Sequence, residues 1–155
     1  WAAAHGHGRI VHRMLKRCSR KQLSAALYQA AKANRVDIMR DLLGEGADPD
    51  IGWGECLRYA ILGNNRPNAG NLEMVRLLLE YGCSQQGRHY PPHEVPLMEA
   101  LGGQGNAEIV QALIDGGADT SGYDLSPYID WAVSLGNVES LALIGRDATG
   151  KRVTT

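Results

Sequence analysis

The most regular feature of the sequence is a pattern of apolar residues that recurs at intervals of 28, 36 and 35 positions. Each copy places apolar side chains at positions i, i+1, i+4 and i+5, a spacing that lines up as one stripe along an α-helix. Four copies are present: Ile10/Val11/Met14/Leu15, Ile38/Met39/Leu42/Leu43, Met74/Val75/Leu78/Leu79 and Ile109/Val110/Leu113/Ile114. The pattern predicts a series of similar amphipathic helices and therefore an internally repeated fold.

Short polar motifs predict where these helices begin and end. Gly-Asn-x-Glu occurs three times, at 70–73, 105–108 and 136–139, and related segments at 34–37 and 6–9 extend the period to five units. The acidic residue falls in the first helical turn, where it meets unsatisfied backbone N–H groups and the positive end of the helix dipole. Three stripes are followed by a glycine, where we expect a left-handed residue to end the helix: Gly46, Gly82 and Gly117.

A second, shorter helical segment precedes the motif in four units, at 27–31, 57–61, 96–100 and 127–132. Pro96 and Pro127 are predicted at the first helical position, where the missing N–H costs nothing, and Ser126 is predicted to cap the helix. Each unit is thus interpreted as helix, tight turn, helix and loop.

The ends of two units, Leu-Leu-Gly-Glu-Gly-Ala-Asp at 42–48 and Leu-Ile-Asp-Gly-Gly-Ala-Asp at 113–119, resemble the ankyrin repeat, as do Val-Pro-Leu-Met at 95–98 and Ser-Pro-Tyr-Ile at 126–129. The resemblance covers nearly the whole chain and implies an all-α, ankyrin-like solenoid of stacked helix-turn-helix repeats with β-turn or loop fingers. Four residues take the place of the family's signature histidine: Tyr28, Arg58, Met98 and Ile129. Six additional residues, Asn64 to Ala69, interrupt the third unit.

We expect the array to occupy residues 1–145 and to be followed by a frayed tail at 146–155. The units fall at about 1–20, 21–50, 51–85, 86–120 and 121–145, of which the first and last are partial. The chain is therefore expected to be a monomeric segment of a longer protein. Because Ser140 replaces an apolar stripe position, we expect it to begin a polar outer face of the kind that terminal repeats carry.

Composition narrows the function classes. The 155 residues are 44% hydrophobic, enough for a core, and the 19 glycines serve mainly as turns and helix ends. No apolar run approaches the roughly 18 residues needed to span a bilayer. Three cysteines without a C-x-x-C pair indicate a reducing compartment, cytoplasmic or nuclear, and we interpret Cys56 and Cys83 as packing residues.

No catalytic, metal or cofactor motif is present in the sequence. The histidines form two loose groups without metal-ligand spacing, His5, His7 and His12 near Cys18, and His89 and His93 beside Glu94. Nucleophile-elbow and phosphate-loop patterns are missing. We therefore expect a protein that is not an enzyme, holds no metal and needs no cofactor.

Protein binding is the leading hypothesis, because repeat stacks present a long concave face built from first helices and loop tips. Tyrosine, tryptophan and arginine most often anchor such interfaces. The candidate partner-binding residues are Trp53, Tyr59, Arg88, His89, Tyr90, Tyr123 and Asp130. For Trp53, packing against the stack is an equally weighted alternative.

The charge distribution supplies a rival hypothesis. Residues 1–40 contain nine basic side chains and one acidic side chain, although the whole chain has a formal charge of −1. An anion-binding end for nucleic acid or acidic lipid would use Arg9, Arg13, Lys16, Arg17, Arg20 and Lys21. A solvated helix face explains the same residues, because Arg9, Arg13 and Lys16 with Arg17 recur along the flank opposite the Ile10–Met14 stripe. In addition, no aromatic side chains are interleaved for stacking on bases. A third hypothesis makes the chain the recognition arm of a larger multidomain protein.

Overall fold

The structure is a computed structural model that describes residues 17–52, 54–63, 71–85, 95–102, 106–118 and 126–144. These residues form eight helices and no strand. The helices are α1 (Arg20–Lys32), α2 (Val36–Gly44), α3 (Glu55–Leu62), α4 (Leu72–Glu80), α5 (Pro96–Gly102), α6 (Ala107–Asp115), α7 (Ser126–Ser134) and α8 (Val138–Ile144). The all-α fold predicted from the sequence is confirmed. No helix in the described ranges is long and apolar enough to cross a membrane.

The helices pack in two layers. Helices α1, α3, α5 and α7 contact one another in sequence and form the first-helix layer, and α2, α4, α6 and α8 do the same in the second-helix layer. The two helices of each unit also pack against each other across the layers. The molecule is therefore a stack of helix pairs, the arrangement that the repeated stripes predicted.

The apolar stripes form one core that runs through the stack. In the three described stripes, ten of the twelve predicted positions are buried, and the remaining two, Leu79 and Ile114, pack against the core from its edge. Leucines at corresponding positions of successive units, Leu42, Leu78 and Leu113, are almost completely inaccessible. Each stripe is thus covered by its neighbours, which makes stability a property of adjacent units. The first predicted stripe, at residues 10–15, lies outside the described residues.

The helix ends follow the predicted signals. The side-chain oxygen of Asn71 accepts a hydrogen bond from the Met74 amide at 3.0 Å, and that of Asn106 accepts one from the Glu108 amide at 2.9 Å. At the other end of the second helices, left-handed φ angles occur at Gly46 (+91°), Gly82 (+77°) and Gly117 (+89°). Glycine adopts these angles without the steric cost that a Cβ would bring.

The start of α7 differs from the expectation. The helix begins at Ser126, so Pro127 is its second residue and Ser126 belongs to the first turn instead of preceding it. A proline is tolerated throughout the first turn, because none of these N–H groups has a partner within the helix.

The expectation for Ser140 was wrong, because this residue is buried with 0% exposure. Ser140 lies in α8, which packs against α6, and in its unit it corresponds to the buried Ile109. The small side chain is covered by the stack and does not begin a polar outer face. Its hydroxyl has no hydrogen-bond partner within the described part of the chain.

Candidate protein-binding site

The first-helix layer carries an aromatic pair that joins two units. Tyr28 of α1 and Tyr59 of α3 meet edge to face, with ring centroids 5.8 Å apart and an interplanar angle of 67°. Their hydroxyls share a hydrogen bond at 3.3 Å. Gly52, in the loop between α2 and α3, lies under the Tyr28 ring, and a Cβ there would come within 3.3 Å of it. The loop and both helices therefore fix the two rings.

The tyrosine contact also changes the acidity of Tyr59. The hydrogen bond with Tyr28 is the largest cause that raises the pKa of Tyr59 to about 12, followed by partial burial and the negative charge of Glu55, while Arg58 opposes the shift. A tyrosine is already neutral at physiological pH, and the raised pKa keeps Tyr59 neutral further into the alkaline range. Tyr59 thus presents an uncharged ring and hydroxyl at this surface.

An ion pair continues the same surface into the next unit. The Nε of Arg58 in α3 lies 2.8 Å from Oε1 of Glu99 in α5, and its Nη1 lies 3.3 Å from Oε1 of Glu55. Glu99 is only 11% exposed and Arg58 is 40% exposed. Because Arg58 bridges two carboxylates, its guanidinium has a fixed position between α3 and α5.

Two neighbouring loops are tied together next to this surface. One carboxylate oxygen of Asp50 accepts hydrogen bonds from the Ser84 amide at 2.7 Å and the Cys83 thiol at 3.3 Å. In the following unit, Nε2 of Gln85 donates to the Gly116 carbonyl at 2.7 Å. These contacts anchor the chain immediately before two predicted tips, Trp53 and Arg88 to Tyr90.

The two buried cysteines are packing residues, as predicted. Cys56 is 0% exposed and Cys83 is 6% exposed. Burial is the main cause that raises the pKa of Cys56 to about 12, and burial followed by the charge of Asp50 raises the pKa of Cys83 as well. Since the thiolate is the reactive form, both thiols are poor nucleophiles. Within the described ranges, no group of three or more His, Cys, Asp or Glu side chains is placed to hold a metal ion.

The structure describes two of the predicted partner-binding residues. Tyr59 lies in the aromatic pair and Asp130 is exposed on α7. The others lie outside the described residues: Trp53, Arg88, His89, Tyr90 and Tyr123. Of the predicted anion-binding residues, Arg17, Arg20 and Lys21 are exposed at the start of α1, and Arg9, Arg13 and Lys16 lie outside the described residues.

Sequence reasoning did not identify Tyr28, Arg58 and Glu99 as site residues. Tyr28 and Arg58 were noted only as replacements for the signature histidine. Their positions in the repeat could have identified them, because equivalent positions in the first helices of successive units face the same surface of a stack.

One comparison with known proteins identifies the repeat. The family model described as Ankyrin repeat matches residues 24–52, which span most of α1, all of α2 and the following loop. No curated protein matches the chain. Ankyrin repeats are in general protein–protein interaction modules and typically lack enzymatic activity. The match thus shows an ankyrin repeat at residues 24–52, and the helix pairs that follow it stack in the same manner.

Proposed function

We propose that the chain is a non-catalytic scaffold that binds a protein partner through its first-helix layer and the adjoining loop tips. One observation carries the proposal: side chains of three successive first helices form a continuous surface through the Tyr28–Tyr59 and Arg58–Glu99 contacts. Rigid aromatic rings and a fixed guanidinium bind with little loss of side-chain entropy. A preorganised surface of this kind is suited to protein recognition.

The loop contacts support a second part of the proposed interface. Asp50 holds the loop before Trp53 next to Ser84, which precedes Arg88 and Tyr90 in the next unit. We propose that these tips extend the binding surface beyond the helices, since loops mounted on a rigid scaffold commonly carry recognition residues.

Affinity purification with the intact chain as bait, followed by titration of each purified partner, tests the proposal. We expect Tyr59→Ala to weaken partner binding at least tenfold, corresponding to about 1.4 kcal/mol. The matched control is Tyr81→Ala, which removes an exposed tyrosine at the end of α4 in the other layer. A triple alanine variant at Trp53, Arg88 and Tyr90 tests the tips in the same way.

The result depends on the difference between the two tyrosine variants. Loss of binding with Tyr59→Ala but not with Tyr81→Ala, at unchanged helicity, supports the proposed surface. A partner that binds both variants and the triple variant as tightly as the intact chain contradicts it.

The anion-binding alternative retains one supporting observation: Arg17, Arg20 and Lys21 are all exposed, and α1 has no acidic residue in its first turn. Titration with duplex nucleic acid and with anionic vesicles at low salt tests it. Binding that falls steeply with added salt and is lost on charge reversal at Arg13 and Arg17 favours this alternative. Binding unaffected by that reversal excludes it.

A further inference from the structure

The second-helix layer contains two neighbouring grooves. The first lies between α2 and α4 and has a volume of about 660 Å³. The second, the α4–α6 groove, has a volume of about 620 Å³ and reaches Leu143 of α8. Both grooves are on the opposite layer from the proposed partner-binding surface, so they are independent of it.

Polar side chains link the two walls of the first groove. Arg40 of α2 forms an ion pair with Glu73 of α4 at 2.9 Å. The side chain of Asn71 donates a hydrogen bond to that of Asn34 at 2.8 Å. Two carboxylates line this groove: Glu73 is paired with Arg40, and Glu80 lies on the side shared with the second groove. With Arg40 and Arg76 also in the lining, the charges of the first groove balance.

The α4–α6 groove differs in both charge and floor. Leu79, Ala112 and Leu143 supply an apolar floor, and three carboxylates lie along the sides. These are Glu80, Glu108 and Asp115. One basic residue, Arg76, also lines the groove.

The carboxylates of this groove are largely unengaged. Within the described residues, the side chains of Glu80 and Glu108 have no hydrogen-bond or ion-pair partner, and Asp115 accepts one hydrogen bond from Gln111 at 2.7 Å. In contrast, the carboxylates of Glu55, Glu73 and Glu99 each pair with an arginine. The α4–α6 groove therefore combines excess negative charge with an apolar floor.

We propose that the α4–α6 groove binds a basic, amphipathic segment of a protein partner. Lysine and arginine side chains bury their aliphatic stems on apolar surface while their charged ends remain at the rim. The stems would lie on Leu79, Ala112 and Leu143, and the cations would meet Glu80, Glu108 and Asp115. The same negative charge disfavours nucleic acid and acidic lipid at this place.

Three synthetic peptides that differ only in side-chain chemistry test the proposal by fluorescence anisotropy with the full chain. The first is an amphipathic Lys/Leu helix, the second replaces each Lys with Glu, and the third replaces each Leu with Ser. We expect the Lys/Leu peptide to bind most tightly and the other two to bind at least tenfold more weakly. Equal binding of the Glu/Leu peptide overturns the charge requirement, and equal binding of the Lys/Ser peptide overturns docking on the apolar floor.

Two triple variants locate the binding. The groove variant is Glu80→Gln, Glu108→Gln and Asp115→Asn. The control makes the same change in net charge on exposed residues of α2 and its C-cap, outside the groove: Asp37→Asn, Asp41→Asn and Glu45→Gln.

We expect the groove variant to weaken Lys/Leu peptide binding at least tenfold and the control less than threefold. If both variants lose affinity for the Lys/Leu peptide equally, the binding depends on overall charge and the proposal is overturned. If the groove triple does not fold, Glu80→Gln alone is used, because this side chain makes no contact that the fold needs. Its expected loss is at least threefold, and unchanged affinity overturns the proposal.

Discussion

The contact between Gly102 and Trp131 allows a test of how closely neighbouring first helices pack. Gly102 is the buried last residue of α5, and Trp131 lies on α7. A Cβ added at Gly102 would lie 2.5 Å from two carbon atoms of the Trp131 indole ring. Real Cβ atoms do not approach other atoms so closely, so Gly102→Ala must displace the ring.

Two opposing effects decide the sign of the stability change. Alanine is favoured over glycine in a helix by at most about 1 kcal/mol, and less at a helix end. Trp131 is 53% exposed, so nearly half of its side-chain surface is covered in the stack. About 100 Å² of buried indole surface corresponds to about 2.5 kcal/mol. We therefore expect Gly102→Ala to lower the free energy of unfolding by roughly 1 to 2 kcal/mol.

Urea unfolding followed by far-ultraviolet circular dichroism measures this change. For a slope of about 2 kcal/mol per M, the unfolding midpoint should fall by roughly 0.5 to 1 M urea. Tryptophan fluorescence must give the same midpoint, because stacked repeats do not always unfold in one step.

A double-mutant cycle identifies the cause. In a Trp131→Ala background the added methyl group meets no ring, so Gly102→Ala should become neutral or stabilising by up to about 1 kcal/mol. The same destabilisation in both backgrounds would refute the assignment to the Gly102–Trp131 contact. A stabilised Gly102→Ala single variant would refute it as well, because it would mean that the ring moves aside without loss of packing.

Three further measurements check other parts of the structure. A thiol-reactive maleimide should label Cys18 in the native chain and all three cysteines only after unfolding, as counted by mass spectrometry, since Cys56 and Cys83 are buried with raised pKa values. Tyr59 should ionise near pH 12 in an ultraviolet titration, and this step should be missing in Tyr59→Phe. Because folding raises the pKa of Tyr59 from 10, the stability that its neutral form contributes is complete below pH 10 and is lost as the pH rises through about 12. Ser140→Ala should raise the free energy of unfolding by about 1 kcal/mol in the same urea assay, because it removes a buried hydroxyl that has no partner among the described residues, and a lower stability would contradict that description.

The sequence was sufficient to predict the repeated fold because the determining signals are local. An apolar spacing such as that of Met74, Val75 and Leu78 specifies one buried helix face irrespective of the rest of the chain. Glycine at positions such as 82 is likewise required by a local backbone angle. Repetition of these signals then predicts stacking, since each unit has the same face to cover.

The side-chain contacts between units could not be predicted in the same way. Arg58 and Glu99 are 41 residues apart, and their ion pair depends on the relative rotation of α3 and α5. Ser140 illustrates the same limit, because its polarity suggested exposure although the stack covers its position. Hydrophobic periodicity determines which face of a helix is buried, but it does not determine which polar residues fall within reach across an interface.

The contacts that form the proposed binding surface also join successive units, so stacking and recognition depend on each other. Tyr28 is held by Tyr59 of the next unit, and Arg58 is oriented by Glu99 of the unit after that. When a unit separates from its neighbour, these side chains lose their partners and regain rotational freedom. A protein that binds the ordered surface must therefore stabilise the stack, because it has affinity for the assembled units and not for separated ones. If partners bind at the proposed surface, their specificity would depend on residue pairs that also join successive units, in addition to the apolar core that stacks them.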